Sequence, residues 1–343
     1  MNNKKITIKS AIFLLCILLF IILFSFWVWQ GIYLPRNPNS KELKMFLIEK
    51  GEGTREISSK LEKQGLIKSG PLFRIYTLSK GISGKLQAGE YMVSPAMAVS
   101  EIAGKFVNGD IIKVLVTVPE GFTLSQIEER LIEKGLVKES EIKNQKAKIY
   151  KEEFNFLRDA PEEAGLEGFL FPDTYQFSYD ASAKNIIRIM LNNFSKKLTL
   201  DLQNEISRQG KSTFEIITMA SLIEKEVKNY EDKRLVSGIL WKRLAKGMPL
   251  QVDSTISYII GKKSTEISIE ETRIDSPYNT YKYRGLPLGP ISNPGLESIK
   301  AALYPESSEY WFYLSTPEGQ TIFSKTFEEH NIAKNKYLNN TPK

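Results

Sequence analysis

Glu224 and Glu226 lie two residues apart on a predicted amphipathic helix, followed by a stretch rich in Tyr, Asn, Gly and Pro. Carboxyl groups in such a setting can act as a general acid or base, and irregular loops often line clefts. Successive helical residues turn by about 100°, so the two side chains point roughly 200° apart. They cannot share one environment. We expect one carboxyl group to be solvated and the other to lie in a cleft.

The helix itself is predicted from the spacing of its apolar residues. These recur three and four positions apart and form one stripe: Ile216, Ile217, Ala220, Ile223 and Val227. Glu224 lies nearer the centre of that stripe, whereas Glu226 lies on its other flank beside Met219. The helical wheel alone therefore leaves both glutamates open as the reactive group.

An apolar N-terminal run over residues 11–29 contains Ser25 as its only polar residue. At about 1.5 Å per residue, this run nearly crosses a hydrocarbon layer roughly 30 Å thick. Its interfacial aromatic residues are Trp27, Trp29 and Tyr33. Because the run is long and no small-x-small cleavage site follows before Pro35, we predict a transmembrane helix over 11–33 rather than a cleaved signal peptide.

The residues flanking this run suggest an orientation. Lys4, Lys5 and Lys9 favour a cytoplasmic tail over residues 1–10, which would leave the rest of the chain extracytoplasmic. Residues 34–44 are rich in Pro, Asn and Ser and are predicted to be a linker. The only cysteine, Cys16, lies within the apolar run, so the remainder has no disulfide, thiolate metal site or thiol nucleophile.

The composition is that of a globular protein, with 42% hydrophobic and 25% charged residues among 343. This length suffices for two modest domains after the membrane segment. The net charge of +7 is spread over a surface where Lys alternates with Glu, and we find no nucleic-acid motif. The sequence therefore predicts no nucleic-acid partner.

An internal repeat connects residues 48–67 with residues 118–137 at a constant offset of 70 positions. Each copy is typical of a short strand, a glycine turn, a helix with Ile and Leu at i and i+4, and a glycine C-cap. A partial third copy covers residues 100–109. The strand–helix pattern looks like a LysM-type glycan-binding unit, so we predict a LysM-like module over 45–138. A charged helical connector is predicted over 139–163.

Four segments carry the remaining chemistry: EGFLFPDTYQF at 167–177, ASLIEKE at 220–226, GMPLQVDSTISYI at 247–259 and SPYNTYKYRGLPLGPISNPG at 276–295. In this order they resemble the YceG-like family of endolytic murein transglycosylases. The resemblance extends through the repeat module and the N-terminal anchor. It implies an α+β protein whose mixed α+β catalytic domain occupies residues 164–343.

The resemblance also implies an activity. Such an enzyme is a lyase that cuts peptidoglycan strands internally, between N-acetylmuramic acid and N-acetylglucosamine, and leaves a 1,6-anhydro end. Cleavage needs an acid for the leaving oxygen and a nucleophile for the anomeric carbon. Because the sugar's own C6 hydroxyl is the nucleophile, one glutamate suffices, with no cofactor or metal.

The cellular setting is implied as well. The family suggests a single-pass protein of the bacterial cytoplasmic membrane that acts in cell-wall biogenesis and ends strand elongation. Its expected partners are peptidoglycan strands, the membrane, and wall synthases such as penicillin-binding proteins.

As the family motif aligns, the catalytic residue is Glu226, with Glu224 as the alternative. An acid of this kind works best with its pKa raised toward neutrality. The substrate-binding candidates are polar or aromatic residues: Gln251, Asp253, Tyr278, Asn279, Thr280 and Tyr281. Asp253 or Ser254 could also be the N-cap of the next helix. Asn279 is favoured because a polar residue in this aromatic setting needs partners.

Two other carboxyl groups and the only histidine are interpreted as architectural. Phe169, Phe171 and Tyr175 alternate as on a strand, and Glu167 and Asp173 flank that pattern. Either carboxylate becomes a candidate second catalytic group if the protein is a muramidase-type hydrolase. His330 is expected to be structural, and no metal site is predicted. A non-catalytic peptidoglycan-binding scaffold is the other alternative function.

Overall fold

The computed structural model describes residues 2–261 and 267–339. The protein has a mixed α+β fold, as the sequence predicted. The chain divides into two compact units, one of residues 1–114 and 177–180, the other of residues 115–176 and 181–343. The predicted module over 45–138 therefore differs from the observed division, because the second copy of the repeat lies in the second unit.

The first unit contains helices and strands in the order α1 (Asn2–Tyr33), β1 (Lys44–Ile48), α2 (Thr54–Lys63), α3 (Gly70–Ser79), β2 (Gly89–Val93) and α4 (Val99–Asn108). The two strands pair antiparallel, with Phe46 opposite Tyr91. Both of these rings are fully buried and lie against Phe106 of α4. Alternate strand residues thus point into a core that the helices complete.

Helix α1 contains an apolar segment, Ser10–Tyr33, with a mean hydropathy of 3.1. By length and composition it could cross a membrane, and it is the one such helix among the described residues. None of its most apolar window is buried within the protein, which distinguishes it from the core helix of a soluble domain.

The repeat is confirmed at the level of secondary structure. Each copy runs from a strand through a glycine turn into a helix and ends at a second glycine, and all four glycines have positive φ: Gly51 (86°), Gly65 (73°), Gly121 (75°) and Gly135 (70°). Residues with side chains rarely adopt this backbone conformation, which explains the matched glycines. The paired core residues are fully buried in both copies: Ile57, Leu61, Ile127 and Leu131.

The remaining elements are, in chain order, β3 (Lys113–Thr117), α5 (Leu124–Glu133), β4 (Thr174–Ser178), α6 (Ala183–Lys197), α7 (Leu200–Arg208), α8 (Thr213–Glu226), α9 (Tyr230–Ala245), α10 (Asp253–Ile260), α11 (Leu296–Leu303), β5 (Phe312–Ser315), β6 (Thr321–Ser324) and α12 (Phe327–Lys334). β3 pairs with β4, and β5 pairs antiparallel with β6. Helix α8 packs against α9 and α11 and forms the centre of the second unit.

Residues 139–163 differ from the predicted helical connector. They form turns and two short 3₁₀ helices, Ala147–Ile149 and Asn155–Leu157. Phe154 and Phe156 are both buried, and the Phe156 ring packs against Phe194 of α6 with ring centroids 4.6 Å apart. This irregular stretch therefore joins the core through its aromatic rings.

The segment before β4 also differs from the prediction. Tyr175 lies on β4, but Phe169 belongs to a turn in which its amide donates to the Leu166 carbonyl at 3.1 Å. Gly168 in this turn has φ = +89°, and a Cβ there would lie 2.7 Å from both Ile217 of α8 and Pro290. The turn thus packs directly against α8 and the loop that follows α10.

Replacing Gly168 by alanine should destabilise the second unit by about 2–4 kcal/mol, because the change adds both left-handed backbone strain and a close contact. Denaturant unfolding measures this loss. Gly104→Ala is the matched control, since Gly104 lies in α4 with open space around it and should gain about 0.5–1 kcal/mol. Equal effects of the two substitutions would contradict the packing argument.

Candidate active site

Helix α8 carries both glutamates and has well-defined ends. At its start, the Ser212 hydroxyl accepts from the Glu215 amide at 3.1 Å, and the Glu215 carboxylate accepts from the Ser212 amide at 2.8 Å. At its end, Val227 turns to extended backbone with φ = −143°. Glu226 is therefore the last helical residue, where the negative end of the helix dipole disfavours a negative charge.

The Glu224 carboxylate belongs to a buried ion pair. Its Oε2 lies 3.4 Å from Lys233 Nζ, and the two side chains are only 9% and 3% exposed. The same oxygen accepts from the Gly295 amide at 3.0 Å and from the Ser298 hydroxyl at 2.6 Å. Glu224 thereby joins α8 to α9 and to the first turn of α11, which is a structural arrangement.

The Glu226 carboxyl group has different surroundings. The Tyr313 hydroxyl, from β5, donates to its Oε2 at 3.1 Å, and the Ser315 hydroxyl donates to the Glu226 backbone carbonyl at 3.1 Å. Burial, with a contribution from the negative charge of Asp253, raises the pKa of Glu226 to about 7, and interactions with Ser254 and the Tyr313 hydroxyl oppose this rise. A carboxyl group that titrates near neutral pH can both give and take a proton.

The two glutamates therefore lie in separate environments, as their helical spacing predicted. The expectation that one of them is solvated was wrong, because both residues are partly buried. Glu224 points toward α9 and α11, which cover it, and this covering could not be seen from the periodicity of α8 alone.

Asp253 lies at the first position of α10, and its carboxylate accepts a hydrogen bond from the Tyr281 hydroxyl. The N-cap of α10 is Val252, which makes no side-chain capping bond. The prediction that Asp253 or Ser254 caps this helix is therefore wrong. Instead, Asp253 connects the start of α10 to the irregular loop over residues 276–295.

Asn279 lies inside this loop and is only 1% exposed. Its Nδ2 donates to the carbonyls of Thr272 at 3.0 Å and Ile274 at 2.7 Å. Its Oδ1 accepts from the Tyr281 amide at 2.9 Å. Asn279 has the partners that the sequence led us to expect, and they are backbone groups of its own loop and of the segment just before it.

Thr280 fixes the loop to the segment before α10. It is 1% exposed, its hydroxyl accepts from the Val252 amide at 2.9 Å, and its carbonyl accepts from the Gln251 amide at 3.1 Å. Gln251 has φ = 52°, a left-handed conformation that is uncommon for a residue with a side chain. Its side chain is exposed, as is that of Asp253 two positions later.

Tyr278 and Tyr281 are both half-buried. The Tyr278 ring packs against Tyr258 of α10, with ring centroids 5.1 Å apart. Four of the six predicted binding residues therefore reach the surface: Gln251, Asp253, Tyr278 and Tyr281. The other two, Asn279 and Thr280, lie beneath it.

Arg243 of α9 was not singled out from the sequence, although it joins two sides of the site. This buried guanidinium donates from Nε to the Trp311 carbonyl at 2.9 Å and from one terminal nitrogen to the Leu250 carbonyl at 2.8 Å. Trp311 precedes β5, which carries Tyr313. Leu250 leads into the segment with Gln251 and Asp253, and a planar guanidinium suits two such acceptors.

Tyr313 was also missed. It lies 87 positions after Glu226, on a strand whose aromatic residues look like ordinary core. The one available signal is the strand period, which places Tyr313 and Ser315 on the same face. No local pattern connects that face to α8.

Glu167 is buried, and burial raises its pKa to about 8. Its carboxyl group accepts from the Leu124 amide at 3.0 Å, from Asn293 Nδ2 at 3.0 Å and from the Tyr258 hydroxyl at 3.3 Å. Since Leu124 is the first residue of α5, Glu167 holds a helix start inside the protein.

His330 is buried on α12 and stacks on Phe312, with ring centroids 5.3 Å apart. Burial, aided by the positive charges of Lys334 and Arg243, lowers the pKa of His330 to about 4. Its position is that of a core residue. Residues 2–261 and 267–339 contain no group of three or more His, Cys, Asp or Glu side chains placed to hold a metal ion.

These observations define a mixed α+β protein with an N-terminal apolar helix and a half-buried glutamate, suited to acid–base chemistry, beside a fixed loop. The chain belongs to the YceG-like family, whose model matches residues 46–336.

Several relatives are similar over most of the chain. A Bacillus subtilis protein named endolytic murein transglycosylase is 33% identical over 92% of this chain and 90% of its own length. A Streptococcus pneumoniae protein of the same name is 33% identical over 88% of this chain, which spans 60% of that longer protein. The crystal structure of a YceG-like protein from Listeria monocytogenes has 34% identity and a TM-score of 0.60, covering 86% of this chain and all of that one.

Glu224→Gln should destabilise the protein by about 2–4 kcal/mol, because it leaves the buried Lys233 ammonium without its counter-charge. Glu231→Gln is the control, since Glu231 forms an exposed pair with Arg234 at 3.2 Å and should change stability by less than about 1 kcal/mol. Urea unfolding measures the change in the free energy of unfolding for each variant. A loss for Glu224→Gln no larger than that of the control would contradict a structural ion pair.

Proposed function

We propose that this protein is an endolytic murein transglycosylase in which Glu226 serves as both general acid and general base. The observation that carries the proposal is the Glu226 carboxyl group, which lies at the end of α8 with a pKa of about 7 and a Tyr313 hydrogen bond. The names of the relatives supply the substrate class. Glu224, the alternative, is engaged with Lys233 and is disfavoured as the acid.

The proposed reaction follows from one titrating carboxyl group. Protonated Glu226 donates its proton to the oxygen that leaves the anomeric carbon of N-acetylmuramic acid. The C6 hydroxyl of the same sugar then attacks that carbon and closes the 1,6-anhydro ring, while its proton passes to the Glu226 carboxylate. No water is consumed, and Glu226 returns to its starting state. Because the nucleophile belongs to the substrate, a second enzymic carboxylate is not required.

Neighbouring groups would adjust this cycle. Tyr313 holds one carboxyl oxygen of Glu226 and thereby orients the group, which makes Tyr313 a positioning residue. The nearby negative charge of Asp253 favours the protonated acid. For the glycan, we propose contacts with the four surface residues of the site: Gln251, Asp253, Tyr278 and Tyr281. Asn279 and Thr280 would act indirectly by fixing the loop.

The remaining parts of the chain have proposed roles in placing this site. We propose that α1 is a single-pass anchor in the bacterial cytoplasmic membrane, with its N-terminus in the cytoplasm and the chain after α1 outside. Residues 45–138 are proposed to be a LysM-like glycan-binding module, on the basis of their repeated strand–helix pattern. Proximity to wall synthases and a role in ending strand elongation stay predictions.

Glu226→Gln should abolish cleavage of glycan strands, because a glutamine side chain cannot donate the proton. Mass spectrometry of digests should show 1,6-anhydro ends with the native protein and no new ends with the variant. Glu231→Gln, at an exposed position, is the control for activity. Retained cleavage by Glu226→Gln, with loss in Glu224→Gln that exceeds its effect on folding, would reverse the assignment.

The same variant has a stability readout that does not depend on activity. The pKa of Glu226 is higher in the folded protein than the ordinary value of 4.5, so ionisation opposes folding. This cost is absent below about pH 4.5, grows as the pH rises and is complete above about pH 7. Glu226→Gln should therefore be more stable than the native protein by roughly 1–3 kcal/mol at pH 8 and nearly equal at pH 4. A pH-independent difference would show that Glu226 is not held in this environment.

Tyr313→Phe and Asp253→Asn should shift the pH profile in opposite directions. Tyr313→Phe removes a donor to the carboxylate and raises the pKa of Glu226. The fall of kcat/KM on the alkaline side should therefore occur at higher pH. Asp253→Asn removes a negative charge and lowers the pKa of Glu226, so that fall should occur at lower pH. Each shift should be roughly half a pH unit to one unit. Shifts of the same sign would contradict the proposed balance at Glu226.

The Asp253→Asn variant also tests the muramidase-type hydrolase, which the closeness of Asp253 to Glu226 brings into consideration. A hydrolase that used Asp253 as its second carboxylate would lose activity in Asp253→Asn, and the native protein would release ordinary reducing ends. Retained 1,6-anhydro products from this variant support the transglycosylase. If the native protein binds glycan strands but releases nothing on long incubation, the scaffold function replaces both.

A further inference from the structure

Helix α3 presents an apolar stripe to solvent. Pro71, Ile75 and Leu78 recur at i, i+4 and i+7, which places them on one face. All three are exposed, Ile75 by 48% and Leu78 by 75%. Phe73 and Thr77 point the other way and are buried in the first unit. The helix thus already has a core-facing side, and the stripe is an additional apolar surface.

This stripe lies beside the last turn of α1. Leu72 packs so closely on Gly31 that a Cβ there would be 2.2 Å away, and the Tyr33 and Tyr76 rings meet edge to face at 6.3 Å. Successive residues turn by about 100°, so Ile75 lies about 60° around α3 from Leu72. The stripe therefore begins on the flank of α3 next to α1.

The contacts with α1 also indicate the level of α3 relative to a membrane. Trp27 and Trp29 lie one to two turns before Tyr33 and are about half exposed. Amphipathic rings of this kind collect at the boundary between hydrocarbon and water. If α1 spans the membrane, its final turn lies at that boundary, and the part of α3 that touches this turn lies there too.

The charges on this segment match an anionic lipid surface. Residues 68–85 contain four basic residues and no Asp or Glu: Lys68, Arg74, Lys80 and Lys85. All four are exposed. Basic stretches without Asp or Glu also occur over residues 181–200 and 233–252, so what distinguishes this segment is its position beside the last turn of α1. Basic side chains flanking an apolar helical stripe are the pattern of a helix that lies in the membrane interface.

We propose that α3 lies in the headgroup region of the membrane that α1 spans, with Ile75 and Leu78 inserted among the lipids and Arg74 and Lys80 against anionic headgroups. This second attachment would hold the first unit against the bilayer surface. The proposal rests on the membrane-anchor part of the proposed function and is independent of the chemistry at Glu226.

Site-specific fluorescence in the full chain tests this attachment. Cys16 is first replaced by serine, and a single cysteine is introduced by Leu78→Cys and labelled with an environment-sensitive dye. The protein is reconstituted into vesicles of phosphatidylglycerol and phosphatidylcholine, with and without a doxyl-labelled lipid as quencher. Leu47→Cys, at an exposed position on β1 of the same unit, is the matched control, and Phe20→Cys reports on the spanning segment. Since Leu78 is largely exposed, its replacement should leave folding intact.

We expect the dye at position 78 to emit at shorter wavelength than the dye at position 47 and to be quenched by the doxyl lipid, as at position 20. Quenching of the dye at position 20 without quenching at position 78 would overturn the proposal while leaving the anchor intact. The same result is expected if another protein, rather than lipid, covers the stripe. Failure of quenching at both positions would refute the anchor and the proposal together, without bearing on glycan cleavage.

The contribution of charge is tested in the labelled Leu78→Cys protein. Arg74→Glu combined with Lys80→Glu should reduce quenching at position 78 in the phosphatidylglycerol vesicles, and raised salt should have the same direction of effect. In vesicles of phosphatidylcholine alone, the charge changes should have little effect. Equal quenching in both lipids, unaffected by the charge changes, would overturn the role of anionic headgroups.

Discussion

Partial removal of the Glu226 carboxyl group from water is the constraint on which the site depends. Burial and the negative end of α8 both oppose its ionisation, and Asp253 adds a like charge. Tyr313 acts in the other direction by donating to the carboxylate. The pKa near 7 is thus a balance of opposed interactions, contributed by elements that are distant in sequence. It requires α8 to end at Glu226, β5 to return to that end, and α10 to begin beside it.

Two buried cations of α9 hold these elements in place. Lys233 compensates the Glu224 carboxylate and joins α9 to α8, while Arg243 binds carbonyl groups on either side of the site, at Leu250 and Trp311. A buried cation without partners carries a large desolvation cost. Separating the elements that supply its partners would therefore cost free energy. The two glutamates of α8 therefore differ in role. Glu224 stabilises the arrangement of helices within which Glu226 can titrate.

Features that depend on local backbone chemistry could be predicted from the sequence, and features that depend on distant chain segments could not. The repeat was visible because its glycines, such as Gly51 and Gly121, are required by positive φ. The divergence of the two glutamates followed from helical spacing. The Tyr313 contact spans 87 positions, and no local pattern announces it. For Asn279 the sequence showed a need for partners but could not tell a ligand from nearby backbone groups.

The loop over residues 276–295 shows how an irregular segment can be ready for a ligand before one binds. Its inner residues, Asn279 and Thr280, have their hydrogen-bonding groups occupied by backbone atoms, so the loop is ordered without external partners. The Thr280 carbonyl also helps to hold Gln251 in its left-handed conformation, which offsets a local strain. A glycan strand that binds here would not have to order this loop, and its binding free energy would remain available for distortion and proton transfer at the bond to be cleaved. Since the inner polar groups are occupied, the side chains left to meet a ligand are those of the outer residues, such as Tyr281, which is fixed through Asp253.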